Sequence, residues 1–133
     1  MKIREVEERT PRLVEQLVDV WEASVRATHL FLSANEIAEI KRYVPQALMG
    51  VAHLVVAERD DGAPAAFMGV QDGKLEMLFL APEERGKGLG RQLLEHGIQR
   101  YAVESLVVNE QNPQAREFYE HMGFQVFERS DLD

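Results

Sequence analysis

Between Leu78 and Leu94 the chain reads LFLAPEERGKGLGRQLL. An apolar run ends at Ala81-Pro82, two acids follow, and Arg85-Gly86-Lys87-Gly88-Leu89-Gly90 then leads straight into a helical pattern. Glycines cost backbone entropy wherever they are not required. This turn therefore needs positive φ, close approach of backbone to another group, or both. N–H groups at a helix start have no intrahelical acceptor and sit at the positive end of the helix dipole. A glycine-lined strand-to-helix turn is accordingly a site for an anion such as a pyrophosphate. Arg85, Lys87 and Arg91 place positive charge around it, which Glu83 and Glu84 partly offset.

Two common phosphate motifs do not fit. The P-loop needs Ser or Thr after its lysine, and Lys87 is followed by Gly88. The dinucleotide fingerprint would start at Gly86 and need glycine or alanine where Arg91 stands. What remains is R-x-x-G-x-G, carried by Arg85, Gly88 and Gly90.

Around this turn the periodicity predicts a mixed α/β sheet. Ile3–Val6 reads as a short strand, and Thr10-Pro11 as a helix cap with proline at the first helical position. Leu13, Leu17, Val20, Trp21 and Val25 follow at helical spacing. Ser33 to Glu36 is a capping box opening a second helix through Ile37, Ile40 and Val44, which Pro45 should end. His53–Glu58, Ala65–Gln71 and Lys74–Leu80 read as strands joined by Asp61-Gly62 and Asp72-Gly73 hairpin turns. Leu89 to Tyr101 is an amphipathic helix and Ser105–Asn109 a buried strand. Asn112-Pro113 opens a last helix through Ala115, Phe118, Tyr119 and Met122, closed by Gly123 before a strand at Phe124–Arg129.

Composition narrows the function classes. The 133 residues suggest one domain spanning 1–133. A net charge of −8 argues against a nucleic-acid or acidic-membrane partner. With no cysteine there is no disulfide, thiolate nucleophile or cysteine zinc site. His53, His96 and His121 are scattered without ligand spacing, so no metal is expected. No apolar run reaches the roughly 20 residues that span a bilayer. MKIREVEERT has no apolar signal segment, so the expectation is a soluble cytoplasmic protein.

The R-x-x-G-x-G turn after a strand resembles motif A of the GNAT superfamily of acyl-CoA-dependent N-acyltransferases. VVNEQNPQAREFYEHMGF at 107–124 resembles that family's N-x-x-A-x-x-F-Y-x-x-x-G-F segment, with Asn112, Ala115, Phe118, Tyr119, Gly123 and Phe124 in its positions. SVRATHLFLS at 24–33 and NEQN at 109–112 are similar to the small bacterial YjaB-type members.

The resemblance implies a mostly antiparallel sheet with two splayed central parallel strands, Lys74–Leu80 and Ser105–Asn109, and about four helices. Acetyl-CoA, as cosubstrate, would lie in the opening between those strands. Its pyrophosphate would sit on residues Arg85, Gly86, Lys87, Gly88, Leu89, Gly90 and Arg91, and its pantetheine arm along Leu78, Phe79 and Leu80. Asn109 and Asn112 would hydrogen-bond the pantetheine or the acceptor, although Asn112 has an ordinary role as a helix cap.

The implied chemistry is direct transfer to a primary amine: a protein lysine, an N-terminus or a small molecule. Tyr119 would protonate the leaving thiolate, a moderate gain because a thiol of pKa about 8.5 already leaves well. Glu76, a carboxylate on the central strand two residues before Leu78, is the candidate base, directly or through water. Taken alone, His29 reads as structural and Trp21, Phe31 and the methionines as core. Within the resemblance, His29 and Phe31 stand against the acceptor.

The family usually adds a seventh strand, and this sequence stops at Asp133, so the sheet is expected one strand short. Monomer and homodimer both stay open. The alternative reading is a non-catalytic acyl-CoA-binding or sensing domain. A toxin-like acetyltransferase acting on charged tRNA is disfavoured by the acidic charge.

Overall fold

The computed structural model describes residues 1–107 and 113–124, with residues 113–114 described by their backbone alone. Among the described residues five strands form one sheet in sequence order: β1 (Lys2–Glu5), β2 (His53–Glu58), β3 (Pro64–Gln71), β4 (Lys74–Leu80) and β5 (Ser105–Leu106). The first three pairings are antiparallel, and β4 with β5 is parallel.

Helices cover both faces, which is why β2 and β3 read as unbroken apolar runs. Along β2 the side chains alternate. Leu54 and Val56 join a core with α1 (Pro11–Thr28), α2 (Ala34–Lys41) and α3 (Val44–Gly50). Val55 and Ala57 join a second core under α4 (Leu89–Tyr101), built with Met68, Val70, Leu93 and Leu94. The period of two in a strand divides one run between the two layers.

Local signals set most boundaries. Thr10 Oγ1 accepts the Leu13 N–H at 3.2 Å. Both halves of the Ser33–Glu36 capping box form, at 3.0 and 3.1 Å. Asp72 and Gly73 both take positive φ, +52° and +74°, as the tight turn between β3 and β4 requires. Pro45 corrects one expectation. The second helix ends at Lys41, and Pro45 lies in the first turn of a separate α3. There its missing N–H costs nothing, because first-turn N–H groups have no helical acceptor. Ile40, expected on the buried face, is 42% exposed.

A last helix, α5 (Pro113–His121), closes with Gly123 at φ +99° and a 3.0 Å bond from the Phe124 N–H to the Tyr119 carbonyl. The strand expected at Ser105–Asn109 is formed at Ser105–Leu106, and residues 108–112 lie outside the described residues. So do residues 125–133, and with them the expected last strand beyond Phe124 and the question of a seventh.

Candidate active site

Among the described residues β4 and β5 pair at two positions, Lys74 with Ser105 and Leu75 with Leu106. The next residue of β4, Glu76, has no partner on β3: Gly69 faces Met77 and Val70 faces Leu75. This is a β-bulge, which bends its strand and sharpens the twist. The bulge brings Met77 onto Gly69. A Cβ at position 69 would stand 2.5 Å from Met77 Cε, the tip of a flexible side chain, and 3.3 Å from Val51 Cγ2, so a side chain there would require Met77 to move. Beyond the bulge β4 parts from β5, and two recesses open.

The larger recess, about 490 Å³, runs along Leu78, Phe79 and Leu80 to the glycine turn. Arg85, Gly86, Gly88 and the first residues of α4 line its far end. Ser24, Thr28 and His29 close one side, and Ala115, Phe118 and Tyr119 of α5 the other. Gly86 and Gly88 hold positive φ of +76° and +83°. The first α4 N–H to find an acceptor across its start is that of Gln92, bonded to Gly88 O at 3.0 Å. The N–H groups of residues 89–91 are thus free of intrahelical acceptors at the positive end of the dipole.

The smaller recess, about 150 Å³, lies toward β5 and is lined by Leu75, Glu76, Met77, Leu106 and Val107. Five residues border both: His29, Leu78, Phe79, Ala115 and Tyr119.

Burial acts on the two titratable side chains of that junction in opposite senses. It pushes the Tyr119 phenol up to about 12, so the hydroxyl keeps its proton. It lowers the pKa of His29 below 6.5, so the imidazole is neutral at pH 7. Tyr119 packs edge-on to Phe118 and Phe124, with centroids 5.1 and 6.2 Å away.

Residues 21–131 match the family model described as Acetyltransferase (GNAT) domain. The chain belongs to the GNAT acetyltransferase family. The peptidyl-lysine N-acetyltransferase YjaB of Escherichia coli K12 is 42% identical over 123 residues, covering 90% of this chain and 80% of that one. The solution structure of apo-form YjaB from Escherichia coli superimposes with a TM-score of 0.86 at 39% identity, covering 99% of this chain and 87% of the other. The PaiA N-acetyltransferase of Thermoplasma acidophilum, solved in complex with coenzyme A, shares the fold at a TM-score of 0.78 and 24% identity, covering 98% and 94%. Transfer of acetyl from acetyl-CoA to an amine, the activity that the sequence implied, is the activity of a GNAT acetyltransferase. The mixed sheet with splayed β4 and β5 is the GNAT architecture.

The GNAT cleft gathers most of the expected residues. Leu78, Phe79, Leu80, Arg85, Gly86, Gly88, Leu89, Gly90 and Arg91 border the larger recess. Tyr119 and His29 stand at the junction, and Glu76 borders the smaller recess, exposed and 3.8 Å from Lys74 Nζ. Two expected residues are elsewhere. Lys87 lines neither recess; its Nζ is held 3.4 Å from buried Glu84. Phe31 lines neither, its ring 5.5 Å from that of His29. Asn109 and Asn112 lie outside the described residues.

Ser24 and Phe118 were not singled out as site residues in the sequence. Ser24 is 6% exposed, a hydroxyl on the otherwise apolar stripe of α1, and that break in the stripe was the available signal. Phe118 stands in the family-like segment, but an aromatic at core spacing looks the same in sequence whether it meets core or cleft. Among the described residues, no group of His, Asp and Glu is arranged to hold a metal, and no helix is long and apolar enough to cross a membrane.

Proposed function

We propose that the protein acetylates the ε-amine of lysine in protein substrates, with acetyl-CoA in the larger recess and the lysine entering by the smaller. The observation that carries this reading is the junction at Leu78, where the two recesses share His29 and Tyr119. The residues suit the cosubstrate. At Gly90 an added Cβ would occupy the recess lining and meet Leu80 and Phe118 only at ordinary contact distance, so its absence makes room for a ligand. Arg85, Arg91 and the N–H groups at the start of α4 complement a pyrophosphate, while the apolar side chains of β4 suit the pantetheine.

Acetyl-CoA supplies the thioester. The backbone N–H near Leu78 is the proposed donor to the carbonyl oxygen as charge develops there, a type of contribution worth about 2.7–4 kcal/mol. Tyr119 supplies the proton to the departing sulfur. Glu76, exposed at the bulge, draws the cationic side chain into the smaller recess. The lysine acceptor is supported by the peptidyl-lysine activity for which YjaB is named. No feature of the described residues favours a non-catalytic sensor.

The test is thermal unfolding with acetyl-CoA, with NAD as control, followed by mass spectrometry of lysine peptides incubated with both. A ligand at a hundredfold excess over its Kd stabilises by about 2.7 kcal/mol. For a domain of this size that is a rise of roughly 10 °C. A rise with acetyl-CoA alone, with acetyl gained at lysine, supports the reading; a rise without lysine acetylation overturns the acceptor.

A further inference from the structure

Resting on the acetyltransferase reading above, we infer that His29 is the general base that takes the proton of the acceptor ammonium, and that Thr28 positions it by fixing its tautomer. Of the five residues bordering both recesses, His29 and Tyr119 carry titratable side chains. The Tyr119 hydroxyl holds its proton and can serve only as the acid. Glu76 borders the acceptor recess alone and is held near Lys74. Arg85 and Arg91 border the cosubstrate recess alone. Together these are the charged and titratable side chains that line the recesses with His29 from β4, α5 and the glycine turn, among the described residues.

The tautomer follows from hydrogen-bond accounting. Thr28 Oγ1 lies 2.7 Å from the Ser24 carbonyl oxygen, which can only accept, so the hydroxyl proton points there. Thr28 Oγ1 is also 2.8 Å from His29 Nδ1. Its one proton is committed, so that contact requires Nδ1 to donate. Neutral His29 therefore carries its proton on Nδ1 and its lone pair on Nε2. Burial supports this role by keeping the ring neutral.

The protons then balance. The ammonium gives one proton to Nε2, leaving a neutral amine and an imidazolium whose Nδ1–H stays on Thr28. The amine nitrogen bonds to the thioester carbonyl carbon, and collapse of the adduct breaks the C–S bond. Sulfur takes the Tyr119 proton, and the phenolate recovers one from the nitrogen as the amide forms. The imidazolium returns its proton to water.

The experiment compares wild type, His29→Gln, His29→Ala and Thr28→Val on a lysine peptide across pH, with acetyl-CoA binding as a check on folding. His29→Gln should retain acetyl-CoA binding and lose about 10²-fold in kcat at neutral pH. The deficit should shrink as pH approaches the ordinary lysine value of about 10.4. Added imidazole should restore part of the activity of His29→Ala. Nitrogen-15 spectra should place the neutral His29 proton on Nδ1 in wild type and redistribute it in Thr28→Val. A deficit equal at every pH and not relieved by imidazole, a change in acceptor KM alone, or an Nε2–H tautomer would each overturn the assignment. Wild-type turnover matched by His29→Gln overturns the base and leaves the acetyltransferase reading standing. Absence of wild-type turnover on lysine peptides overturns both.

Discussion

Phe118 of α5 stands over Gly90 of α4, its Cζ 3.6 Å from the point that a methyl group on that glycine would occupy. The Leu80 methyls are 3.8 Å from the same point. These are ordinary contact distances, so the fold has room for alanine at position 90. Gly86 and Gly88 differ, because their φ values of +76° and +83° disfavour any side chain. Gly90→Ala should therefore raise stability by about 0.5–1 kcal/mol through helix propensity. It should weaken acetyl-CoA by about tenfold, or 1.4 kcal/mol. Gly88→Ala should instead lower stability by about 1–2 kcal/mol. Thermal unfolding and calorimetric titration check both. A Gly90→Ala protein that binds acetyl-CoA as wild type does would show that this glycine does not face the ligand.

Tyr119→Phe tests the acid. Among the described residues nothing hydrogen-bonds the Tyr119 hydroxyl, so the fold should lose little. We expect kcat to fall by about 10²-fold, the low end for acid–base catalysis, with acetyl-CoA affinity unchanged. The phenol stays protonated until pH nears about 12, so the acid should not be lost in wild type through pH 10. Because its folded pKa lies above the ordinary 10, its contribution to stability is complete below pH 10 and is lost as pH rises toward 12. Ultraviolet titration of wild type against Tyr119→Phe should show that one late-ionising phenol has gone.

Glu84 ties the turn to the sheet. It is 7% exposed, 3.5 Å from Arg59 Nε and 3.4 Å from Lys87 Nζ. Glu84→Gln should cost about 1–2 kcal/mol, less than a fully buried pair because Arg59 and Lys87 remain partly solvated. Since Lys87 is directed to Glu84, Lys87→Met should alter acetyl-CoA affinity far less than Arg85→Met. Equal losses for the two would show that Lys87 reaches the ligand.

Acid should loosen the fold at three carboxylates. Hydrogen bonds from Lys41 and then Arg26 hold Glu22 below 4.5. Arg4 does the same for Glu58, and Tyr101 and then His53 for Glu5. The folded state binds fewer protons at each, so their contribution is present above pH 4.5 and is lost as pH falls below it. The melting temperature of Glu22→Gln should depend less on pH between about 5 and 3 than that of wild type. An identical dependence would mean that the Lys41 bridge between α1 and α2 contributes nothing.

The strands and helices were legible wherever periodicity, caps and turn residues agreed. Thr10-Pro11, the Ser33–Glu36 box and Asp72-Gly73 formed as their chemistry requires. Pro45 misled because proline both ends helices and begins them, and only the surrounding chain decides which. Of the site, the glycine turn was legible because glycine there has no cheaper explanation. Tyr119 was legible through its segment, whereas Lys87 and Phe31 were placed by proximity in sequence and their side chains went elsewhere.

By itself the sequence determined the glycine turn, the acidic net charge and, among the described residues, the order of elements apart from α3, since these depend on composition and on neighbours a few residues apart. The tertiary structure decided that Glu76 bulges out of β4 against β3, and that His29 and Tyr119 both border the two recesses. Those facts depend on residues far apart in the chain, brought together by packing two helical layers on one sheet. No local pattern encodes where a strand will part from its neighbour, and that parting is what makes the cleft.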